Sequence, residues 1–371
     1  MRIAIIGSRG VPAATGGVER VVEQLSAELA GRGHEVLVYA RPWYLRARPG
    51  AAPPVGVRAL ATAGLSGKHT DTLTHTATAM WDVLRRKVDL VHVFSPGPAL
   101  LSFLPAAARL PIAWTVQGRD WTAPRWSRPA RLALRVGLKC GMKFASAVST
   151  VSLSLRDWLT DKYRRKVEYI PNGVAPARLR PPRQIAPWGL AKGGYGLFVG
   201  RIVPGKSVDL LVRAWGMLAP KIPLVVVGDS VGEPSYTALC RRQADPSVRF
   251  VGPRFGAVLE ELYSNAAVVI QPSMAEGMSL VLLEAAAHGR CVIARDMPAN
   301  RDALGEAMAA FTEDSPSALA ETIQRCLNDP VLREQIGRAA RKRVRQQFAW
   351  PNIARRYEEL YRHALLARAA A

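Results

Sequence analysis

Residues 2–7 read RIAIIG, residues 16–31 read GGVERVVEQLSAELAG and residues 35–40 read EVLVYA. The first and third stretches are short apolar runs, which are typical of strands buried on both faces of a parallel sheet. In the stretch between them, apolar residues recur at the three- and four-residue spacing of a helix, at Val18, Val21, Val22, Leu25 and Leu29. This order predicts a βαβ unit and hence an α/β fold with a parallel sheet.

The alternation of apolar runs and helical stretches continues along the chain and is interrupted once. Further strands are predicted at 90–94, 112–116, 147–151 and 166–170 and, after the interruption, at 195–199, 223–227, 248–251, 267–271 and 291–294. The interruption holds five prolines between 171 and 187 and is typical of a linker. We therefore predict two Rossmann-like α/β domains, 1–185 and 186–345, followed by a C-terminal helix at 346–371.

Composition excludes several classes of protein. The 371 residues are 49% apolar and 22% charged, unlike a disordered, collagen-like or coiled-coil chain. The four cysteines form no CxxC, so we expect free thiols in a reducing cytosol and no zinc site.

The N-terminal apolar run is too short for a signal peptide. The uncharged stretch 90–108 is interrupted by Pro96, Pro98 and Pro105, so no spanning helix is expected. A cytoplasmic protein is predicted, either free or peripheral on the inner face of the membrane.

The formal net charge of +22 is unevenly distributed. Residues 119–183 carry a net +11 and residues 333–368 a net +7. Such an excess indicates a polyanionic partner, which could be nucleic acid, an anionic membrane or a phosphorylated substrate. In the first of these segments, six cations have helical spacing and would form one basic stripe: Arg125, Arg128, Arg131, Arg135, Lys139 and Lys143. The stripe suits anionic lipid headgroups or a lipid-diphosphate acceptor, although a solvated helix face would have the same sequence.

The loop between the first predicted strand and helix carries Gly16 and Gly17. The free amides and the dipole of a helix N-terminus suit a phosphate there, although a tight turn without a ligand is equally compatible. The loop is not GxGxxG, and no carboxylate follows the strand at 35–40. Both departures argue against a nicotinamide-dependent dehydrogenase.

Two cations, Arg201 and Lys206, follow the predicted strand at 195–199. Placed at the carboxyl end of a sheet with a turn between them, both can face one anion. A diphosphate that leaves with growing negative charge needs such groups. Taken singly, each could instead be a solvated loop charge.

Two carboxylates, Glu276 and Glu284, stand eight residues apart where the strand at 267–271 passes into a helix. Both could flank a ligand bound by the intervening amides, at Gly277, Met278, Ser279 and Leu280. Either glutamate alone could be a helix-start or surface residue. Glu284, however, interrupts the apolar stretch 280–287, where a charge is costly unless it has a partner or ligand.

Together these motifs resemble those of the retaining, nucleotide-sugar-dependent glycosyltransferases of the GT-B fold, glycosyltransferase family 4. The resemblance covers nearly the whole chain. It rests on the Glu276/Glu284 pair and on four shorter matches: GGVER at 16–20, VSTVS at 148–152, IPNGV at 170–174, and FVGR at 198–201 with Lys206. It implies two Rossmann-like domains facing a central cleft, with the C-terminal helix crossing back to the first domain.

The resemblance also implies roles for the site residues in a transferase of the hexosyltransferase type. Arg201 and Lys206 would hold the donor diphosphate, Glu276 would contact the transferred sugar beside the reacting carbon, and Glu284 would bind the ribose. Gly16 and Gly17 would lie against the phosphates. The chain contains no Asp-x-Asp, which agrees with a metal-independent donor site. No cofactor is expected, since the nucleotide sugar is a substrate.

One departure from the family is Gln117, which stands where a histidine is common. Glutamine exchanges no proton at neutral pH but can hydrogen-bond a sugar, so Gln117 is predicted to contact the donor. Residues 68–75 also resemble a polysaccharide-assembly subgroup that includes rhamnosyltransferases.

The function implied is transfer of a sugar to a glycan or lipid-linked acceptor in cell-surface polysaccharide assembly. The alternatives are a GT-B-fold epimerase or phosphorylase and, from another class, a basic nucleic-acid-binding protein. No nucleic-acid partner is expected, because the chain has no recognisable reading module.

Overall fold

The computed structural model describes residues 1–14, 16–47, 50–65, 67, 70–122, 126–218, 222–230 and 232–369. The chain divides into two compact units. The first unit comprises Met1–Gly173 and Trp350–Ala371, and the second comprises Val174–Ala349. The backbone therefore passes from one unit to the other twice, after residues 173 and 349.

The described part of the first unit contains one seven-stranded parallel sheet. Its strands are β1 (Arg2–Ile6), β2 (Glu35–Ala40), β3 (Val57–Ala61), β4 (Leu90–Phe94), β5 (Ile112–Val116), β6 (Ala147–Thr150) and β7 (Glu168–Tyr169). They lie in the order β3-β2-β1-β4-β5-β6-β7. The helices are α1 (Gly17–Gly31), α2 (Pro42–Arg46), α3 (Thr70–Arg85), α4 (Pro96–Ala99), α5 (Phe103–Ala107), α6 (Arg128–Phe144) and α7 (Leu153–Tyr163).

The strand order of this sheet reverses between β1 and β4, which is where ligands bind in open α/β sheets. The two strands approach closely just past their carboxyl ends. Gly7 has a φ of 116°, and a Cβ on it would lie 2.3 Å from the carbonyl oxygen of Phe94. Only glycine fits at that position.

The second unit repeats this arrangement with six parallel strands among its described residues. They are β8 (Gly196–Val199), β9 (Leu224–Val227), β10 (Val248–Gly252), β11 (Val268–Gln271), β12 (Cys291–Arg295) and β13 (Ala309–Phe311). Their order is β10-β9-β8-β11-β12-β13, so the reversal falls between β8 and β11. The helices are α8 (Val208–Gly216), α9 (Pro234–Gln243), α10 (Gly256–Asn265), α11 (Leu280–Ala287), α12 (Pro298–Leu304), α13 (Pro316–Asn328) and α14 (Pro330–Gln347).

The C-terminal helix, α15 (Trp350–Ala369), packs in the first unit, as predicted. Glu358 accepts a hydrogen bond from Arg32 Nε at 3.1 Å and lies 2.9 Å from His34 Nε2. Deeper in the unit, the hydroxyl of Tyr361 lies 2.8 Å from Nδ1 of His92 on β4. Two parallel-sheet α/β units and this returning helix confirm the predicted fold class.

The proline-rich stretch is not a free linker, and the chain divides at 173 rather than at 185. The stretch after the division packs on α10. The amide of Arg180 donates to Ser264 Oγ at 3.1 Å, and the amide of Gln184 donates to Glu261 Oε2 at 2.7 Å. Because Glu261 is buried, its carboxylate requires such donors, and they hold this segment on the second unit.

The central strands and the edge strand β10 lie where the apolar runs predict them, whereas the other three edge strands of the described sheets do not. β4 and β5 coincide with the predicted 90–94 and 112–116, and α4 and α5 follow β4 within the uncharged stretch. By contrast, β7 has two residues instead of the predicted five, and β3 and β13 were not predicted. All three lie at sheet edges, where a strand buries less surface and needs no long apolar run.

Candidate active site

Lys206 and Glu276 meet at the carboxyl edge of β8 and β11. Lys206 ends the 3₁₀ turn Pro204–Lys206, and Glu276 lies in the loop that precedes α11. The ammonium group contacts Oε1 of the carboxylate, and the two side chains are only 18% and 13% exposed. The amide of Met274 donates to the carbonyl of Gly205 at 3.2 Å and so joins the two loops. Two residues predicted from separate motifs thus form one ion pair.

The Glu276 carboxylate also receives a hydrogen bond from a buried amide. Gln271 Nε2 donates to Glu276 Oε1 at 3.2 Å and to Ser273 Oγ at 2.9 Å. Burial by itself would raise the pKa of Glu276, but the Lys206 charge and the hydrogen bonds from Lys206, Ser273 and Gln271 outweigh it, and the pKa lies below its ordinary value. The carboxylate is therefore ionised at neutral pH.

Glu284 lies in α11, and its side chain has a polar partner. The hydroxyl of Tyr263 donates to Glu284 Oε2 at 3.0 Å, and the Tyr263 ring stacks on His288 with centroids 5.3 Å apart. This contact explains how a charge is tolerated among the buried residues of α11. Gly277, Met278 and Ser279 precede the helix and Leu280 begins it, so this first turn presents amides that have no acceptor within the helix.

Arg201 lies at the same edge of the second sheet with an exposed side chain. The backbone next to it is tightly constrained. A Cβ on Gly228, which follows β9, would lie 1.8 Å from the carbonyl oxygen of Gly200. The close approach of these two strand ends sets the path of the loop that carries both Arg201 and Lys206.

In the first unit, Gly16 and Gly17 form the start of α1, as the glycine pair predicts. Gly16 has a φ of 102°, and a Cβ on it would lie 2.0 Å from Glu19 Oε2. Glu19 is buried and accepts hydrogen bonds from the Arg9 amide at 3.1 Å and from Arg9 Nε at 3.0 Å. Residue 16 must therefore be glycine, because a side chain there would displace the carboxylate that holds the loop after β1.

Gln117 follows β5 and is half-buried. Its Nε2 atom is buried and has no hydrogen-bond partner among the described residues. A buried donor without an acceptor costs free energy, so this amide is suited to an acceptor atom of a ligand.

The predicted basic stripe lies on α6, where Ser127 caps the helix by accepting from the Ala130 amide at 3.4 Å. Arg131 of the stripe is half-buried. Four of its other cations are exposed: Arg128, Arg135, Lys139 and Lys143. Arg125 lies outside the described residues, as do residues 68 and 69 of the stretch that resembles rhamnosyltransferases. Leu132 and Val136, 62% and 41% exposed, lie between the cations. Sequence reasoning missed this apolar pair.

Sequence reasoning also missed two side chains that hold the Glu276 loop. Gln271 bonds Glu276 directly, and Arg295 donates to the Pro272 carbonyl at 3.4 Å and to Asp314 Oδ1 at 2.7 Å. Each of them is the polar last residue of an otherwise apolar strand, at the carboxyl edge of the sheet. That pattern is a usable signal, since ligands of parallel sheets bind at this edge.

Over the part of the chain that the structure describes, no helix is both long and apolar enough to cross a bilayer. In the same residues, no three histidine, cysteine or acidic side chains cluster in a way that could hold a metal ion.

Residues 194–329 match the family described as Glycosyl transferases group 1, and residues 15–178 match Glycosyltransferase Family 4. A D-inositol 3-phosphate glycosyltransferase of Frankia alni is 30% identical over 400 residues, which cover 96% of each chain. Another, from Jonesia denitrificans, is 31% identical over 207 residues, which cover 52% of this chain and 45% of that relative. The structure of a sucrose-phosphate synthase from Thermosynechococcus elongatus is similar, with a TM-score of 0.81 and 25% identity over 99% of both chains.

Paired Rossmann-like units with a helix that returns to the first are the architecture of GT-B glycosyltransferases. The chain belongs to glycosyltransferase family 4 and is a glycosyltransferase of this type.

Proposed function

We propose that this enzyme transfers a sugar from a nucleoside diphosphate sugar to a glycan or lipid-linked acceptor in cell-surface polysaccharide assembly. Transfer retains the anomeric configuration and needs no metal ion. One observation carries the proposal: a lysine and an ionised carboxylate, Lys206 and Glu276, share the carboxyl edge of β8 and β11. The lysine stabilises the negative charge of the departing diphosphate, and the carboxylate stabilises the positive charge that develops on the sugar.

The remaining groups suit the parts of such a donor. Arg201 and Lys206 stabilise the diphosphate, whose negative charge grows as the bond to the sugar breaks. The first-turn amides of α11 add donors to the same anion. Glu284, held by Tyr263, binds the ribose hydroxyls, and Gln117 donates to the sugar through its Nε2 atom, which has no partner among the described residues. Gly16 and Gly17 offer the amides of the α1 N-terminus to phosphate oxygens.

A thermal-shift screen against UDP-, GDP-, dTDP- and ADP-sugars tests the donor. We expect one nucleotide to raise Tm by about 5 °C at saturating concentration and Lys206→Ala to abolish the shift. Lys192→Ala, which removes an exposed lysine of the same unit, should leave it unchanged. If no nucleotide sugar shifts Tm, the proposed donor class is wrong.

Product analysis tests the reaction itself. With donor and a glycan acceptor, we expect a glycoside of unchanged anomeric configuration, formed equally fast in EDTA. Without a glycan or lipid acceptor, formation of a sugar 1-phosphate from added inorganic phosphate would instead identify a phosphorylase, and rearrangement of the sugar an epimerase.

The surface of α6 supports a membrane partner in addition. Leu132 and Val136 are exposed beside four cations, and Phe103 on α5, 43% exposed, lies with its ring 6.4 Å from that of Phe144. Apolar side chains that enter the interface and cations that meet phosphate headgroups are the two requirements of peripheral binding to anionic lipid. We propose that α6 holds the enzyme at the membrane where a lipid-linked acceptor is presented.

Reversing three cations of α6 should abolish binding to anionic vesicles. Each cation near such a surface contributes about 1 kcal/mol, so Arg135→Glu/Lys139→Glu/Lys143→Glu removes most of the attraction. Cosedimentation with phosphatidylglycerol vesicles at low salt measures the loss. The matched control reverses three exposed cations of α14: Arg338, Lys342 and Arg345. Equal binding of the native enzyme to neutral and anionic vesicles would contradict the membrane proposal.

A further inference from the structure

We infer that Glu276 and the donor diphosphate compete for Lys206, so that the nucleotide binds by drawing the lysine away from this carboxylate and is released when the lysine returns to it. Gln271 holds Glu276 in place while Lys206 is engaged with the phosphates. The inference rests on the proposed function and assigns a second role to the site's own carboxylate, in product release.

The competition follows from the contacts of Lys206. Its ammonium group already lies against Glu276 Oε1, and both side chains are largely withdrawn from water. Like charges repel strongly where solvent is excluded, so a diphosphate cannot approach this lysine without opposing the glutamate. Nucleotide binding therefore has to weaken the ion pair, and part of the binding free energy is lost in doing so.

The loop geometry keeps the two charges close in the absence of ligand. The amide of Met274 bonds the carbonyl of Gly205, which links the Glu276 loop to the turn that carries Lys206. Ser207, directly after the lysine, has a φ of 51°, in the left-handed region that a serine adopts only when its surroundings impose it. The lysine is thus presented on a constrained turn.

Gln271 has the contacts that a positioning residue for Glu276 requires. It is fully buried, and its Nε2 atom donates to both Glu276 Oε1 and Ser273 Oγ. Its own Oε1 atom is buried and has no hydrogen-bond partner among the described residues. A buried oxygen without a hydrogen-bond donor costs free energy, and an apolar residue at this strand position would avoid that cost. The hydrogen bond to Glu276 therefore explains why a glutamine stands there. When Lys206 turns to the diphosphate, this bond remains.

The same exchange run in reverse assists product release. Transfer of the sugar leaves a nucleoside diphosphate on Lys206, and Glu276 stands next to that ammonium as the competing anion. The carboxylate that stabilises the sugar in the reaction thus also destabilises the bound product.

Calorimetric titration with the nucleoside diphosphate found in the donor screen tests the inference. Glu276→Gln keeps the size and polarity of the side chain but removes its charge, so we expect Kd for the nucleoside diphosphate to fall about tenfold. Glu306→Gln makes the same change in net charge at a carboxylate that is 93% exposed, and should leave Kd unchanged. An unchanged or raised Kd in Glu276→Gln overturns the inference. A native enzyme that binds no nucleoside diphosphate overturns the proposed function itself.

Gln271→Leu tests the positioning role, with Tm measured to show that the variant folds. We expect kcat to fall about tenfold while KM for the donor stays near the native value, because only the orientation of Glu276 is lost. In the Glu276→Gln background, Gln271→Leu should have almost no further effect on kcat. A full additional loss in that background would mean that Gln271 acts on the structure generally, and would overturn its assigned role.

Discussion

Replacing Glu276 with alanine is expected to lower kcat by about a thousandfold, while the nucleoside diphosphate binds more tightly. The substitution removes the ionised carboxylate at the edge of β11, which offsets positive charge on the transferred sugar. It also frees the Lys206 ammonium, which Glu276 contacts in the ligand-free enzyme. Catalysis and nucleotide affinity should therefore change in opposite directions. Initial transfer rates at saturating donor and calorimetric titration measure the two effects.

Glu306→Ala is the matched control for this experiment, because its carboxylate is 93% exposed and its ion pair with Arg301 lies at the surface. Its rate and Kd should match those of the native enzyme. If Glu276→Ala transfers sugar at nearly the native rate with an unchanged Kd, the carboxylate has neither role assigned to it.

Replacing Tyr361 with alanine is expected to destabilise the enzyme by about 3–5 kcal/mol, in the range of large-to-small substitutions of buried aromatic residues. Tyr361 lies on α15, is fully buried and has its hydroxyl 2.8 Å from His92 Nδ1. The other nitrogen of His92 lies 2.8 Å from Thr115 Oγ1. Burial lowers the pKa of His92 to about 3, so the ring is neutral in the folded enzyme. Losing the tyrosine leaves both a cavity and a buried nitrogen without a partner.

Urea unfolding, followed by far-ultraviolet circular dichroism, measures this loss. Tyr361→Phe keeps the ring and should cost only about 1–2 kcal/mol, the contribution of the hydrogen bond. Leu366→Ala changes an exposed residue of the same helix and should stay within about 0.5 kcal/mol of the native enzyme. A Tyr361→Ala enzyme as stable as Leu366→Ala would show that α15 is not anchored through this network.

The sequence predicted the central strands well because each is a run of apolar residues that must be covered on both faces. β4 and β5 illustrate this, whereas the edge strand β13 has three residues and no pattern to detect. The linker was predicted from its prolines alone. Nothing in the local sequence indicated that the carboxylate of Glu261, buried on α10, would accept hydrogen bonds from the backbone amides of that segment.

For the active site, the sequence by itself determined which chemical groups stand at which strand–helix junctions. Arg201, Lys206 and Glu276 lie in the loops after β8 and β11, and Glu284 lies in the helix α11 that follows, because local periodicity defines the strands and the helix. Only the tertiary structure decided which of them touch. The Lys206–Glu276 contact joins residues 70 positions apart and forms only because β11 lies beside β8, whereas Gln271 bonds Glu276 within one strand–loop segment. Burial, and with it the competition between a carboxylate and a diphosphate for one lysine, arises only when the two loops exclude water together.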